Sequence, residues 1–303
     1  MRFSVIVPTF NRPRDLARCL AALARLDYPQ DEFEVIVVDD GGSADLGSVV
    51  AASSQRIKLT LLRQTNLGPS AARNNGAAHS AGSFLAFVDD DCEPSQGWLR
   101  ALDDTLMRVP DALIGGRVVN GLPSNPNDEA SQQILDYISQ HFNRDSENGG
   151  FFPSNNMAVA AQLYRQIGGF DATFRRSASE DRDLCDRCLR YGLRLIAVRE
   201  AVVTHYREMS FCGFWNQQFQ YGRGAFSYAR ARERRNGGPV PFEGWRFHLG
   251  LVTSPLRDSL RPRSLYLSCL ILVSQVAVVA GYASEARAQK QQRVQSSYNL
   301  ARK

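Results

Sequence analysis

Through the N-terminal third of the chain, short unbroken apolar runs alternate with segments whose apolar residues recur at helical spacing. The first run lies between Arg2 and Pro8, with FSVIVP at its centre. Asn11 and Pro13 then supply a helix start, and Leu16, Leu20, Leu23 and Leu26 share one helical face until Tyr28-Pro29 ends it. A second run, FEVIVVD from Phe33 to Asp39, closes in Asp39-Asp40 followed by Gly41, Gly42 and Ser43. Ile57, Leu59 and Leu61 alternate as a third strand, Pro69 opens an alanine-rich helix, and Phe84 to Val88 is a further apolar run. Runs apolar at every position suit strands buried on both faces. Strand, helix, strand, helix, strand predicts a mostly parallel α/β sheet with helices on both sides.

The run at Phe84 ends abruptly in Asp89, Asp90 and Asp91. Three adjacent carboxylates repel strongly at low dielectric, so the expectation is a triplet at a strand end, in water or around a neutralising cation. In an extended chain residues i and i+2 point the same way, which would turn Asp89 and Asp91 toward one hard divalent ion. A solvated acidic turn is the plainer alternative. Ligands of parallel sheets bind beyond the carboxyl ends of the strands, where Thr9, Asp39, Asp40, Asp89 and Asp91 all fall. Neither G-x-G-x-x-G after a strand nor G-x-x-x-x-G-K-S/T occurs, which argues against dinucleotide and P-loop chemistry. Acids at early strand ends suit hydrogen bonding to a base or ribose, and Arg73, on the helix after NLGP, stands within reach of a diphosphate.

Linked motifs then carry a resemblance. VIVPTFNR at 5–12, VVDDGGS at 37–43, NLGPSAARNNG at 66–76 and FVDDDCEP at 87–94 resemble, in order and spacing, the family 2 glycosyltransferases, which are inverting enzymes of the GT-A fold. SNNMAVAAQLYRQIGGFD at 154–171, SEDRDLCDR at 179–187 and VVTHY at 202–206 extend the likeness over residues 3–210. The resemblance implies a GT-A catalytic domain over 1–210, with a nucleotide-sugar half at 1–110 and an acceptor half at 111–210. It puts Pro8, Thr9, Asp39, Asp40, Arg73 and Asp90 on the donor side. Asp89 and Asp91 become the acids of a D-x-D motif holding Mg²⁺ or Mn²⁺, and His205 resembles a further metal ligand found in some members.

An inverting transfer also needs a carboxylate to take the acceptor's hydroxyl proton. Asp181 matches the base of the family's E-D motif, with Glu180 beside it; sequence alone leaves Glu180, Asp181 and Asp183 open. A solvated helix N-terminus is the alternative for all three. Asn155 and Asn156 resemble the segment facing acceptor or donor sugar, or else cap a turn. The stretch after polar residues 143–148 reads as a mobile loop whose Phe151 and Phe152 line a sugar or lipid path.

Composition places the chain in a cell. It has 303 residues, 44% hydrophobic and 22% charged, so it folds as a globular protein. The N-terminus lacks a signal-peptide pattern, and a cytoplasmic setting with reduced thiols is expected despite six cysteines. Cys185-x-x-Cys188 falls in a helix without a second pair and reads as buried thiols. Phe211 to Arg235 reads as a helix broken near YGRG, inside a basic and aromatic extension at 211–263 rich in arginine, which favours an anionic partner. Residues 264–282 are apolar and include an 18-residue uncharged run, at the short limit for a membrane span, and 283–303 form a polar tail. The Q-x-x-R-W motif of processive members is absent, since Gln220 is followed by Arg223 and Gly224.

The expectation is therefore a metal-dependent glycosyltransferase moving one sugar from a UDP-, GDP- or dTDP-linked donor to a glycan or lipid-linked hydroxyl, on the inner face of a membrane. It would serve polysaccharide, glycolipid or lipid-linked glycan synthesis. No nucleic-acid module is recognised. The rival expectations are a non-catalytic sugar-nucleotide or membrane scaffold of the same fold, and a sugar nucleotidyltransferase.

Overall fold

The computed structural model describes residues 1–301 other than Ser177, Pro241, Phe242, Asp258 and Ser259, with residues 292–301 as backbone alone; Arg302 and Lys303 of the expected tail lie outside the described residues. The chain divides into two compact units, Met1–Pro123 with Ile138–Arg207, and Ser124–Tyr137 with Glu208–Lys303.

The first unit is built on one eight-stranded sheet. In chain order its elements are β1 (Phe3–Thr9), α1 (Pro13–Leu23), β2 (Phe33–Asp39), α2 (Gly47–Ser54), β3 (Leu59–Arg63), α3 (Pro69–Ala78), β4 (Phe84–Phe87), β5 (Cys92–Pro94), α4 (Trp98–Arg108), β6 (Ala112–Asn120), then the end of α5 (Pro126–Phe142), β7 (Met157–Ala160), α6 (Ala161–Ile167), α7 (Glu180–Arg190) and β8 (Arg194–His205). Strand order is β3-β2-β1-β4-β7-β6-β8-β5. Every residue of β1, β2 and β4 is buried, as unbroken Val, Ile and Phe runs require of a two-sided core. Alternation within β1 shows both faces in use. Val5 and Val7 pack with Leu16, Leu20 and Leu23 of α1, while Ile6 joins Phe87, Tyr164 and Leu184 on the other side. Each such side chain contributes about 1.5–3 kcal/mol by leaving water.

Strands β1 to β4 are mutually parallel, and β1 lies between β2 and β4. The chain therefore reverses its direction of travel across the sheet at β1, which opens a crevice at the carboxyl ends of β1 and β4. The remaining strands depart from the parallel rhythm. Strand β7 runs antiparallel to β4 and β6, and β5 antiparallel to β8, while β6 and β8 are parallel.

In the second unit, α8 (Phe211–Arg234) is one continuous helix, not one broken at YGRG. Gly222 and Gly224 are buried, and a Cβ at Gly222 would meet the carbonyl oxygen of Val278 at 2.0 Å. Gly222 admits another backbone rather than a turn. Helix α9 (Trp245–Thr253) follows, and α10 (Pro262–Ala301) carries the apolar segment and the polar residues beyond it in one helix. The tail's Ala, Glu, Lys, Arg and Gln are all strong helix formers, so nothing in it stops the helix at Tyr282.

Candidate active site

The acidic triplet after β4 does not continue as extended chain. Residues 90–91 form a turn, closed by the backbone N–H of Cys92 donating to the Asp89 carbonyl at 3.1 Å. The three carboxylates therefore splay to different partners, and the expectation that Asp89 and Asp91 point alike fails on this bend.

Asp89 turns to Arg73, whose Nη2 donates to its Oδ1 at 2.6 Å. Asp90 is fully buried, accepting from Thr9 Oγ1 at 2.7 Å and pairing with Arg12 at 3.0 Å. Asp91 pairs with Arg12 at 2.5 Å and with His205 Nε2 at 3.3 Å. Two of the three acids are thus in the interior. They tolerate one another because guanidinium groups stand between them, where water or a cation alone had been expected. Burial, with Asp91 beside it, outweighs Arg12 and pushes the Asp90 carboxyl up to about 7. For Asp91 burial works in the same sense, yet the hydrogen bond and charge of His205, then Arg12, hold it well below the usual carboxylate range.

Arg12 had no place in the sequence reading. It follows Asn11, whose backbone sits in the left-handed region at φ 55°, and whose side-chain oxygen accepts from the N–H groups of Ser43 and Ala44 at 2.7 and 3.0 Å. Its position directly after β1 was the available signal. Side-chain reach from a loop has no period to read.

The donor-side residues sort into two kinds. Thr9 sits at the end of β1 opposite Asp39, and Pro8 is buried within the strand opposite Val38. Asp39 accepts from the Gly42 N–H at 2.9 Å, and Asp40 from Gln64 Nε2, Leu67 N and Gly68 N at 2.7 to 2.9 Å. Both acids thereby shape the loops at the crevice rim. Gly68 has φ 93°, and a Cβ there would lie 2.3 Å from the carbonyl oxygen of Arg175, so this position takes glycine on both counts. Two expectations need correction. Asp90, with no surface, serves Thr9 and Arg12 and does not face a donor. Arg73 is likewise enclosed, donating to Asp89 and, at 3.2 Å, to Glu180, with its guanidinium over the Phe170 ring. It joins the two acid groups and does not project toward a diphosphate.

At the start of α7, Ser179 is held in the left-handed region at φ 69°, so the chain turns sharply into Glu180. Glu180 is buried on Arg73, and desolvation together with Asp181 pushes its carboxyl up to about 7. Asp181 is half-buried, and burial raises its pKa against backbone donors from Arg182 and Ser154. Asp183 is buried and engaged by Arg187 at 2.8 Å, which also ties down the carbonyls of Ile167 and Gly169. Of the three acids, Asp181 keeps accessible surface.

The two asparagines part company. Asn155 is buried, its Nδ2 donating to Cys92 Sγ at 3.6 Å and its Oδ1 without a partner among the described residues. Asn156 belongs to the core and not to an acceptor face: it accepts from Trp98 Nε1 at 2.9 Å and donates to the carbonyls of Arg117 and Ala201 at 3.0 and 2.9 Å. Asn156→Ala would orphan two buried groups, the Trp98 Nε1–H and the Ala201 carbonyl, and the part-buried Arg117 carbonyl. The expected loss is about 3 kcal/mol or more, read as a lower denaturant midpoint, since each unsatisfied buried group costs about 1–3 kcal/mol. Phe152 is also a core residue, 2% exposed against Gly115, and not the wall of a path. Cys185 and Cys188 are buried free thiols.

An α/β sheet whose reversal point holds convergent acids, a threonine and a histidine presents a polar, charged site at the carboxyl ends of its strands. The sequence profile described as "Glycosyl transferase family 2" matches residues 4–180, and the chain belongs to that family. It is 28% identical over 170 residues to glycosyltransferase AglE of Haloferax volcanii, covering 55% of each chain. To the pre-mycofactocin glycosyltransferase of Mycobacterium tuberculosis it is 30% identical over 207 residues, covering 67% of this chain and 42% of the other. The chain thus spans about half the length of these curated relatives. Among solved structures, mannosyltransferase PcManGT from Pyrobaculum calidifontis in complex with GDP-Man and Mn²⁺ superposes with a TM-score of 0.62 at 19% identity, covering 96% of this chain and 80% of the other. S. aureus TarS in complex with UDP-GlcNAc gives 0.59 at 16%, covering 96% and 92%. The fold is shared with both, and it is the GT-A fold.

Proposed function

We propose that this chain moves a single sugar from a nucleotide-sugar to a hydroxyl acceptor, inverting the anomeric centre with the help of a divalent cation. The observation that carries the reading is the joining of two acid sets through one buried guanidinium, Arg73, with Asp89 at one end and Glu180 beside Asp181 at the other. One set suits a charged donor and the other a proton transfer, and a transferase needs both.

The donor set fits a hard divalent ion. Asp91 and His205 already lie 3.3 Å apart, with Cys92 Sγ close by, and burial lifts that thiol's pKa well above its ordinary value. Carboxylate oxygen and imidazole nitrogen remain as the available ligands, and the carboxylate is the one that suits Mg²⁺ or Mn²⁺. Asp91 and His205 would hold it, while Asp89 stays on Arg73 across the turn. Such an ion supplies positive charge to a departing diphosphate. Thr9, Asp39 and Asp40 fix the rim loops against which the nucleotide would rest. Asp181, desolvated and accessible, would take the acceptor's proton as the hydroxyl oxygen attacks, and Glu180 would hold its own charge on Arg73 beside it.

The donor class, UDP-, GDP- or dTDP-linked, draws support from the GDP-Man and UDP-GlcNAc in the complexes of the structural neighbours. A glycan or lipid-linked acceptor, synthesis of a polysaccharide, glycolipid or lipid-linked glycan, and association with the cytoplasmic face of a membrane complete the proposal. The testing experiment is thermal unfolding with each nucleotide-sugar class in Mn²⁺ or in EDTA. One class at a hundredfold its Kd should stabilise the fold by about 2.7 kcal/mol in Mn²⁺ and not in EDTA. Stabilisation by none, or turnover of nucleoside triphosphates in place of nucleotide-sugars, would refute the reading.

A further inference from the structure

We propose that the second unit docks on an anionic phospholipid bilayer through one face of α10, with that helix lying in the plane of the membrane surface. The inference takes up the membrane association included above and gives it a surface, a lipid charge and a mode.

From Ser264 to Ser284 the helix carries no charge. Its buried residues, Leu267, Leu270, Ile271, Ser274 and Ala277 among them, line one face. The opposite face exposes Leu265, Cys269, Leu272, Val276 and Val279, steps of four and three residues that keep them in one stripe, and Val279 is 68% exposed. Tyr266 and Tyr282, both exposed, stand at its two ends. A row of apolar side chains this long on a soluble surface marks an interaction site.

Length alone would let α10 cross a bilayer, since an 18-residue window within its residues 262–291 reaches a mean hydropathy of 1.9. Its packing argues otherwise. A Cβ at Gly281 would lie 2.0 Å from the Phe219 carbonyl oxygen, and Gly222 meets Val278 as closely, so α10 is laid backbone to backbone along α8. Tyr282 also stacks edge-on against Phe226, and Arg223 pairs with Glu285 at 2.8 Å. Helix α8 bears Arg223, Arg230, Arg232 and Arg234, together with buried Gln217 and Gln218. A helix fastened to that one cannot be drawn through hydrocarbon without taking those arginines along. Only the unfastened stripe is left to enter lipid, which is the disposition of an interfacial helix.

Charge selects the occupant. The second unit, residues 124–137 with 208–303, holds fourteen Lys and Arg against eight Asp and Glu, a balance of +6 that exceeds the +5 of the whole chain. Arg261 and Arg263 precede the uncharged stretch, and Arg287 and Lys290 follow it. Against a second copy, in parallel or antiparallel register, like charges would meet at both ends of the stripe. Against anionic headgroups the same residues attract. On α9, Trp245 is 69% exposed with the Arg246 guanidinium over its ring, an aromatic and cationic pair suited to the headgroup level.

The test is flotation of the full chain with vesicles of phosphatidylcholine containing phosphatidylglycerol, against pure phosphatidylcholine. Partitioning should be at least about tenfold greater on the anionic vesicles, as several basic residues near such a surface would give. It should fall with salt and reverse in alkaline carbonate. The double variant Leu272→Glu/Val276→Glu, at exposed positions and checked by circular dichroism for an unchanged fold, should float at least about tenfold less. Equal flotation on both lipids, or none, would overturn the proposal. So would resistance to carbonate, which marks a spanning helix. A dimer in sedimentation equilibrium that the double variant dissolves, without vesicle binding, would assign the stripe to a second copy instead. None of these readouts uses donor or acceptor, so their failure would leave the glycosyl-transfer reading standing, and failure of that reading would not touch them.

Discussion

Asp181→Asn should leave nucleotide-sugar binding intact and lower turnover by about 10²–10⁴-fold, the usual contribution of a positioned general base. The choice among three neighbouring acids rests on what each already does. Asp183 is engaged by Arg187, and Glu180 is enclosed on Arg73, while Asp181 keeps surface. Burial also raises the pKa of Asp181, so its carboxylate holds a proton more firmly than an exposed aspartate and is the better acceptor. The sign for pH follows: a base must be ionised, so turnover should climb with pH, on a limb lying above the ordinary aspartate range, then level off. Asparagine keeps the shape and removes the basicity. Steady-state kinetics beside calorimetric donor titration separate the outcomes, and a fully active variant would move the base elsewhere. Glu180→Gln is the informative companion, because it weakens the hold on Arg73 and should disturb donor binding as well as rate.

Asp91→Ala should remove cation-dependent nucleotide binding and reduce transfer by on the order of 10³-fold, since charge stabilisation by a bound cation is worth several kcal/mol in a transition state. The carboxylate is the meeting point of Arg12 and His205 and is held ionised by them. Without it His205 loses the carboxylate beside it. Folding should survive, because Arg12 is partly solvated and retains Asp90. Thermal unfolding with Mn²⁺ and the nucleotide, compared with EDTA, reads the binding, and radiolabelled sugar transfer reads the rate. Undiminished values in both would remove Asp91 from the cation assignment.

The parallel half of the sheet was legible because β1, β2 and β4 are built on dense apolar runs, VIVP, VIVV and FLAF, which local sequence cannot disguise. The antiparallel half was not. Strand β7 is four residues and β5 three, too short for a period, and their pairing is decided by distant partners. The early acids were placed correctly at the strand ends, since charge after an apolar run marks where the core stops. Which way each side chain faces there was not, and one turn at residues 90–91 sufficed to separate Asp89 from Asp91. Arg73 and Asn156 illustrate the same limit. A polar residue in a motif reads as an exposed donor, yet buried partners turned both inward, Asp89 and Glu180 for Arg73 and two carbonyls with the Trp98 indole for Asn156. The YGRG pair in α8 misled for a related reason, because glycine signals a chain break and a close helix contact with the same letter.

Gly68 closes the donor-side rim by resting its α-carbon against the backbone of Arg175, a residue far along the chain. No side chain of any kind can be accommodated there, and the hydrogen bond from its N–H to Asp40 fixes the loop's height as well. Diversification of this rim is thereby confined. Thr65, Asn66 and Leu67 are exposed and can be exchanged, whereas the loop as a whole cannot be raised or lowered without moving the segment that leads into α7. Under the proposed function, a library aimed at changing nucleotide preference should vary those three positions and leave Gly68 alone.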